Sequence, residues 1–369
     1  MTKLRWIAAT VLLGSTAWAL PARAQGVDGL TPSPDEPPTR QGTRGANFLH
    51  LGIGARGNAM AGAVSGTIDG PSAWFWNPAG AATAEGFSLA AGRQNLYGDL
   101  GVKQSYVGVA MPLLGGVIGI SLNTLNSGNI ERTSQNQPIG DAAAGRFFDW
   151  NSTAAGLGYA RRLTDRLALG GQLKFITEGI TDAKTDWIAA DFGTQFNTGI
   201  YGLVLAASLQ QVGSQGNASG AAISQVINNA NINDQSTRVN LDTKKTDLPT
   251  AFRFALGSDL LGTASSLLGQ RGGGSHRLYA EVAINDAVDL ASQLAFGGEY
   301  SFRNFAFVRG GKKFYNDDRA VGGSKGMYGL SGGLGLRVPV AGRAMRFDYS
   351  FTSLGDLKDI QVFSFEFGR

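Results

Sequence analysis

The sequence predicts an all-β fold, a 14-stranded antiparallel transmembrane β-barrel with a short N-terminal plug. Three observations carry that expectation. From Phe87 onward, bulky apolar residues alternate with small or polar ones in one segment after another, the period of a strand with two unlike faces. The composition, with 54 glycines and 16% charged residues, is unusual for a helical globular protein and suits a barrel of weakly hydrophobic strands. The connections alternate between long and short, as they do when one end of a barrel faces the exterior and the other the periplasm.

Taken in order, residues 1–24 read as an export signal. Lys3 and Arg5 form a positive start, Trp6 to Leu20 an apolar stretch, and Ala22-Arg23-Ala24 a small-x-small cleavage site near Ala24. Cleavage removes Lys3, Arg5 and Arg23, so 32 basic residues become 29 against 28 acidic ones, and the net charge of +4 falls to +1. The basic excess belongs to the leader and gives no argument for nucleic acid. Cysteine is absent, so an exported chain needs another source of rigidity, such as a large sheet. No apolar run beyond the leader reaches the roughly 18 residues of a membrane helix. Residues 25–45, with Pro32, Pro34, Pro37 and Pro38 among polar neighbours, read as an extended periplasmic tether. The expected location is the bacterial outer membrane.

Residues 46–85 do not alternate. They are rich in small residues, poor in charge, and run through Trp74-Phe75-Trp76 into Asn77-Pro78-Ala79. This is the expected plug. Within it, Gly52-Ile53-Gly54-Ala55-Arg56-Gly57 fits the GxGxxG pattern. A dinucleotide site needs a buried strand before that pattern, a helix after it, and an acidic residue about twenty positions on. Here a proline tether precedes it and an aromatic cluster follows, so its glycines read as a means of tight packing in a confined lumen.

Residues 86–369 form the expected barrel. Its strands are 86–95, 103–112, 116–125, 150–162, 165–177, 185–197, 200–211, 250–258, 276–285, 291–302, 305–315, 326–338, 344–354 and 359–368. The number is even, as bacterial single-chain barrels require. Leu167, Leu169, Leu173 and Phe175 alternate with Arg166, Gly170, Gln172 and Lys174; Tyr328, Leu330, Leu334 and Leu336 alternate with Ser331, Gly333, Gly335 and Arg337. The bulky set would face lipid and the other set the lumen. A soluble sandwich also alternates, but would not usually run to so many long strands. With both termini periplasmic, the two longest connections, 126–149 and 212–249, fall outside, and the turns at 197–199, 303–304 and 339–343 fall inside. One connection, 259–275, is long where a short turn is expected. The chain closes on Phe363, Phe365 and Phe367 at alternate positions, resembling the C-terminal insertion signal of outer-membrane barrels.

Signals for bond-making chemistry are weak. Gly329-x-Ser331-x-Gly333 and Gly322-x-Ser324-x-Gly326 fit a nucleophile-elbow pattern, but lie in a strand and a loop and not at a strand-to-helix turn. His50 and His276 are the only histidines, neither in a triad context. Asn316-Asp317-Asp318 lacks calcium-loop spacing, and no His/Cys cluster offers a transition-metal site. The reading is a non-enzymatic protein without catalytic residues, cofactor or metal. Lys174, Arg253, Glu281, Glu299, Arg337, Arg346, Asp348 and Glu366 all fall on expected inward faces. Charges of both signs suggest pairing across the lumen that holds the plug; a conducting pore could use them for selectivity. Gly297, Gly333 and Gly335 are expected to leave room for the plug.

The run Ala55-Arg56-Gly57-x-Ala59-Met60-x-Gly62-Ala63, followed by Asp69 and by Trp74 to Ala79, resembles the N-terminal region of the PorV/PorQ outer-membrane proteins. These in turn look like relatives of the FadL long-chain fatty-acid transporters, in which Asn-Pro-Ala belongs to the hatch that blocks the barrel. The resemblance picks out Arg56, Gly57, Met60, Gly62, Asp69, Trp74, Trp76, Asn77, Pro78 and Ala79 as the plug motif. It implies two roles of different class. PorV-like proteins serve type IX secretion and surface attachment, with secreted cargo proteins and secretion-system components as partners. FadL-like proteins pass hydrophobic small molecules across the outer membrane. Outer-membrane lipid is a partner on either reading.

Overall fold

The computed structural model describes residues 42–140, 147–228, 236–269, 274–315, 329–340, 342–355 and 358–368. The leader, the tether as far as residue 41, the Asn316-Asp317-Asp318 run, the Gly322 motif and Tyr328 lie outside the described residues.

Fourteen antiparallel strands close into a barrel. They are β1 (Ser88–Leu96), β2 (Val102–Leu113), β3 (Gly116–Asn126), β4 (Trp150–Arg162), β5 (Leu167–Ile180), β6 (Ala183–Asn197), β7 (Leu203–Gly213), β8 (Ala251–Leu261), β9 (His276–Ala287), β10 (Gln293–Phe302), β11 (Ala306–Tyr315), β12 (Leu330–Val340), β13 (Arg343–Ser353) and β14 (Asp359–Phe367). Each pairs with its neighbours in sequence, β7 pairs with both β6 and β8, and β1 pairs with β14 from Leu89↔Phe367 to Asn95↔Gln361. No edge strand remains, so the ladder runs on around the wall, broken only locally by register shifts at Asp191 and between Asp259 and Leu261.

The alternation read in the sequence is the inside–outside alternation of the wall. Leu157, Leu173 and Ile188 are about 60% exposed on the outer surface, while Gln172, Asp191 and Glu281 are buried within. The long 214–250 connection carries its own strand pair, Ser224–Asn228 with Ser236–Asn240, and the connection after β3 carries Ile130–Glu131 with Phe147–Phe148. The connection after β8, which broke the long–short rule, folds back on the strand it leaves. The Leu267 and Leu268 N–H groups donate to the Asp259 and Leu260 carbonyls at 3.1 and 2.9 Å.

One β-bulge interrupts the β6–β7 ladder between Ala190 and Phe192. Gln211 takes φ +55° there, and its N–H leaves the ladder to donate to Asp191 Oδ1 at 2.8 Å. Gln210 and Gln211 are both buried in consequence, which a regular strand would not allow for consecutive residues with one face in lipid.

Candidate functional site: the plug and its seat

Residues 42–86 thread the barrel from its long-loop end to its short-turn end, so the close of the segment read as a periplasmic tether, residues 42–45, stands at the end opposite the short turns. At the first end the Gly45 N–H donates to the Asp247 carbonyl at 3.0 Å, Arg44 pairs with Asp247, and His50 meets Asp289 at 3.0 Å. At the other end Arg343 donates to the Phe87 carbonyl at 3.0 Å, just before β1 begins. Between them the chain makes only short turns: Asn47–His50, α1 (Ala55–Ala59), Gly70–Ser72, α2 (Ala73–Trp76) and Pro78–Thr83. Glycines at positive φ break it at Gly54 (+71°), Gly62 (+83°) and Gly70 (+58°), conformations strained for any side chain. The GxGxxG run is therefore a packing device. Gly52 and Gly57 lie against the Trp76 ring, where an added Cβ would come closer than 3.0 Å.

The aromatic cluster is the anchor. Trp74 Nε1 donates to the Val109 carbonyl and Trp76 Nε1 to the Ile53 carbonyl, each at 3.0 Å, so both indoles are buried with their polar atom satisfied. Asn77 has no exposed surface. Its Oδ1 accepts from the Ala79 N–H at 3.2 Å, and its Nδ2 donates to the Ser65 and Thr194 carbonyls at 3.1 and 3.0 Å. Gln210, turned inward at the bulge, donates to the Phe75 and Trp76 carbonyls at 2.8 and 3.0 Å.

The wall is smooth where the plug meets it. Gly119, Gly158, Gly170 and Gly193 stand on the neighbouring strands β3, β4, β5 and β6. Trp74 lies against the first two, Pro78 against the third, and Asn77 and Pro78 against the fourth, each at a place where a Cβ would come within 3.0 Å. On the opposite wall Gly297 and Gly311 clear the Met60 backbone, and Gly333 clears Ala59. Gly335 instead makes room for the Arg309–Asp348 pair.

A chain of buried charges ties the plug to the far wall. Arg56, on α1, donates to both carboxylate oxygens of Glu299 at 2.9 and 3.2 Å, to the Thr67 carbonyl at 3.1 Å and to Thr67 Oγ1 at 2.9 Å, and lies 3.6 Å from Asp69. Glu299 also accepts from Arg309 at 2.6 Å; Arg309 reaches Asp348 at 2.6 Å; Asp348 accepts from Arg346 at 2.9 Å; Arg346 pairs with Glu366, which accepts from Ser72 Oγ at 2.6 Å. The chain thus starts and ends on the plug. Each member of the chain has at least one opposite charge within reach, the condition under which burying charge is tolerable, although Arg309 Nη2 is buried without a hydrogen-bond partner.

Of the eight inward charges named from sequence, Glu299, Arg346, Asp348 and Glu366 belong to this chain. The others stand apart. Lys174 pairs with Asp191 at 2.7 Å. Glu281 accepts from the Gly66 N–H and the Tyr279 hydroxyl. Arg253 lies over the Phe75 and Trp76 rings and donates to Asn285. Arg337 is half-buried and lines a cavity of ≈ 940 Å³ between the plug and the short-turn end, with Arg162, Asp259 and Arg343. Sequence reading missed Arg309 and Asp191, each the middle or partner of a pair it had half named.

Scanned against protein-family models, the sequence matches none, and no curated protein is recognisably similar to it in sequence. The fold has solved neighbours. The Pseudomonas putida toluene transporter TodX superposes with a TM-score of 0.53 at 12% identity, over 86% of this chain and 96% of that one. The Ralstonia pickettii toluene transporter TbuX gives a TM-score of 0.50 at 11% identity, over 86% and 97%. At these identities the likeness is one of fold.

Proposed function

We propose that this chain is a non-enzymatic, passive transporter that carries hydrophobic small molecules across a bacterial outer membrane. The observation that carries the reading is the architecture itself: a closed fourteen-strand barrel, like those of two toluene transporters, with its lumen filled by its own N-terminal segment. A plugged lumen is a poor general pore, because Trp74, Trp76 and Met60 fill the middle of the barrel and Arg56 is held by Glu299. Selective passage then depends on local rearrangement of the plug beside an apolar solute, and the ≈ 940 Å³ cavity is the space into which the plug could shift. The likeness to transporters favours this reading over the secretion role implied by residues 55–79, to which no contact of the plug lends separate support.

The test is uptake. Cells carrying this chain in an outer membrane depleted of similar barrels should take up radiolabelled toluene severalfold faster than cells without it, with no matching gain for a hydrophilic solute such as a disaccharide. Equal rates for toluene with and without the chain would overturn the proposal, as would a parallel rise for both solutes. Chemical crosslinking in the same cells bears on the secretion role, which would regain ground if secreted proteins were captured.

A further inference from the structure

The outer wall holds a recess at the seam where the barrel closes. Along β1 the outward residues are Ala91, Arg93 and Asn95, opposite Val107, Ser105 and Lys103 on β2 and Phe365, Phe363 and Gln361 on β14. Ala91 is small and its neighbours are not, so the surface dips over β1 to give an apolar hollow of ≈ 580 Å³ with Phe347, Phe363 and Phe365 on one bank and Val107 on the other. Arg93 lines the same hollow. It is exposed on the lipid side, and none of the described ion pairs includes it. Its inward neighbour Gln94 is occupied with the plug, which fixes the phase of the strand and leaves Arg93 no route inward.

An arginine on the lipid face is costly near the bilayer centre and nearly neutral at the interface. Here the register places Arg93 one pair below Asn95, Lys103 and Gln361, the polar row at the long-loop rim. Its long side chain can therefore meet the headgroup layer while the apolar hollow lies deeper. Lys103 is diagonal to Arg93 across the β1–β2 ladder, close enough for two long side chains to share one anion. An apolar trough with a cationic head end suits an acyl chain below an anionic headgroup such as a phosphate, which a guanidinium binds through paired hydrogen bonds.

We propose that the β1–β2–β14 recess is a binding site for a single net-anionic phospholipid of the surrounding bilayer, its phosphate on Arg93 and Lys103 and one acyl chain over Ala91. The site is independent of whether the lumen transports anything. Native mass spectrometry of the full chain, released from detergent with dioleoyl phosphatidylglycerol or with chain-matched phosphatidylcholine, tests it. The intact chain should retain one phosphatidylglycerol about tenfold in preference to phosphatidylcholine, the effect of one charge-assisted contact. Arg93→Leu should bring the preference close to parity. Ala91→Phe, which fills the trough and leaves the charges, should lower retention of both lipids. Heat-dependent gel mobility of each variant reports that the barrel has closed. Equal retention of the two lipids by the intact chain, an undiminished preference in Arg93→Leu, or a paired chain mass in place of bound lipid would overturn the proposal.

Discussion

Replacing Arg56 by alanine should release the plug from the β10 wall without opening the barrel. The structure gives the magnitude. Two of the four hydrogen bonds made by Arg56 reach Glu299 on the wall, and the other two reach Thr67 within the plug. A hydrogen bond to a charged group is worth about 1.5–3 kcal/mol net. Stranding a buried charge costs more, about 3–5 kcal/mol, but Glu299 keeps Arg309 at 2.6 Å and is not stranded. The loss of plug docking is then about 3 kcal/mol, or roughly two orders of magnitude in its local opening equilibrium. Hydrogen-exchange mass spectrometry of the purified barrel measures this. Amides between Gly62 and Gly70 should exchange about 100-fold faster in Arg56→Ala, with strand amides unchanged. In a double-mutant cycle, Glu299→Gln should cost the docked plug less when Arg56 is already absent. Unchanged exchange in the plug of Arg56→Ala would refute the view that this pair docks it.

Two further outcomes test the seat and the seam. Gly193→Val should push Asn77 and Pro78 off the β6 wall, at an overpacking cost of about 1–3 kcal/mol, and raise the entry of a hydrophilic solute into proteoliposomes; unaltered leak would mean the wall yields and not the plug. Ser364→Pro and Phe365→Pro each remove one ladder N–H, and successive N–H groups on β14 point to β13 and to β1 in turn. Both variants should lose heat-dependent gel mobility in a closed barrel, whereas in an open sheet the one facing β1 would be tolerated.

All fourteen strands were legible because lipid outside and a polar lumen inside impose opposite demands on successive residues, and the sequence records them. Leu173 beside Lys174 is one such contrast. Where that contrast fades, so does legibility. On β11 the inward row is Phe307, Arg309, Gly311 and Lys313, while the outward row includes Gly310 and Lys312. Neither row is clearly the apolar one, so Arg309 went unnamed although it sits between Glu299 and Asp348. Asp191 was hidden for the opposite reason. It shares its inward row with Trp187, a bulky residue that in most strands would mark the lipid side. The glycines of the seat were beyond reach from the chain alone. Among 54 glycines, nothing local separates Gly119 and Gly158, which receive Trp74, from those in turns. The bulge at Gln210–Gln211 has no signature either, since two glutamines in a row suit one inward position and one rim position equally well.

The path of residues 42–86 bears on how such a molecule can be assembled. The segment crosses from one mouth to the other, fastened to Asp247 at its start and joined covalently to β1 at its finish. Once β1 and β14 zip together, a chain that lay outside could reach this position only by being drawn lengthwise through a channel that Trp74 and Trp76 nearly fill. The more economical order is that the strands curl around a segment already laid along them, with the β1–β14 seam joined last. On that order the plug acts as a mandrel for the barrel before it acts as its stopper, and a damaged Trp74 should slow maturation in the membrane as well as loosen the finished product.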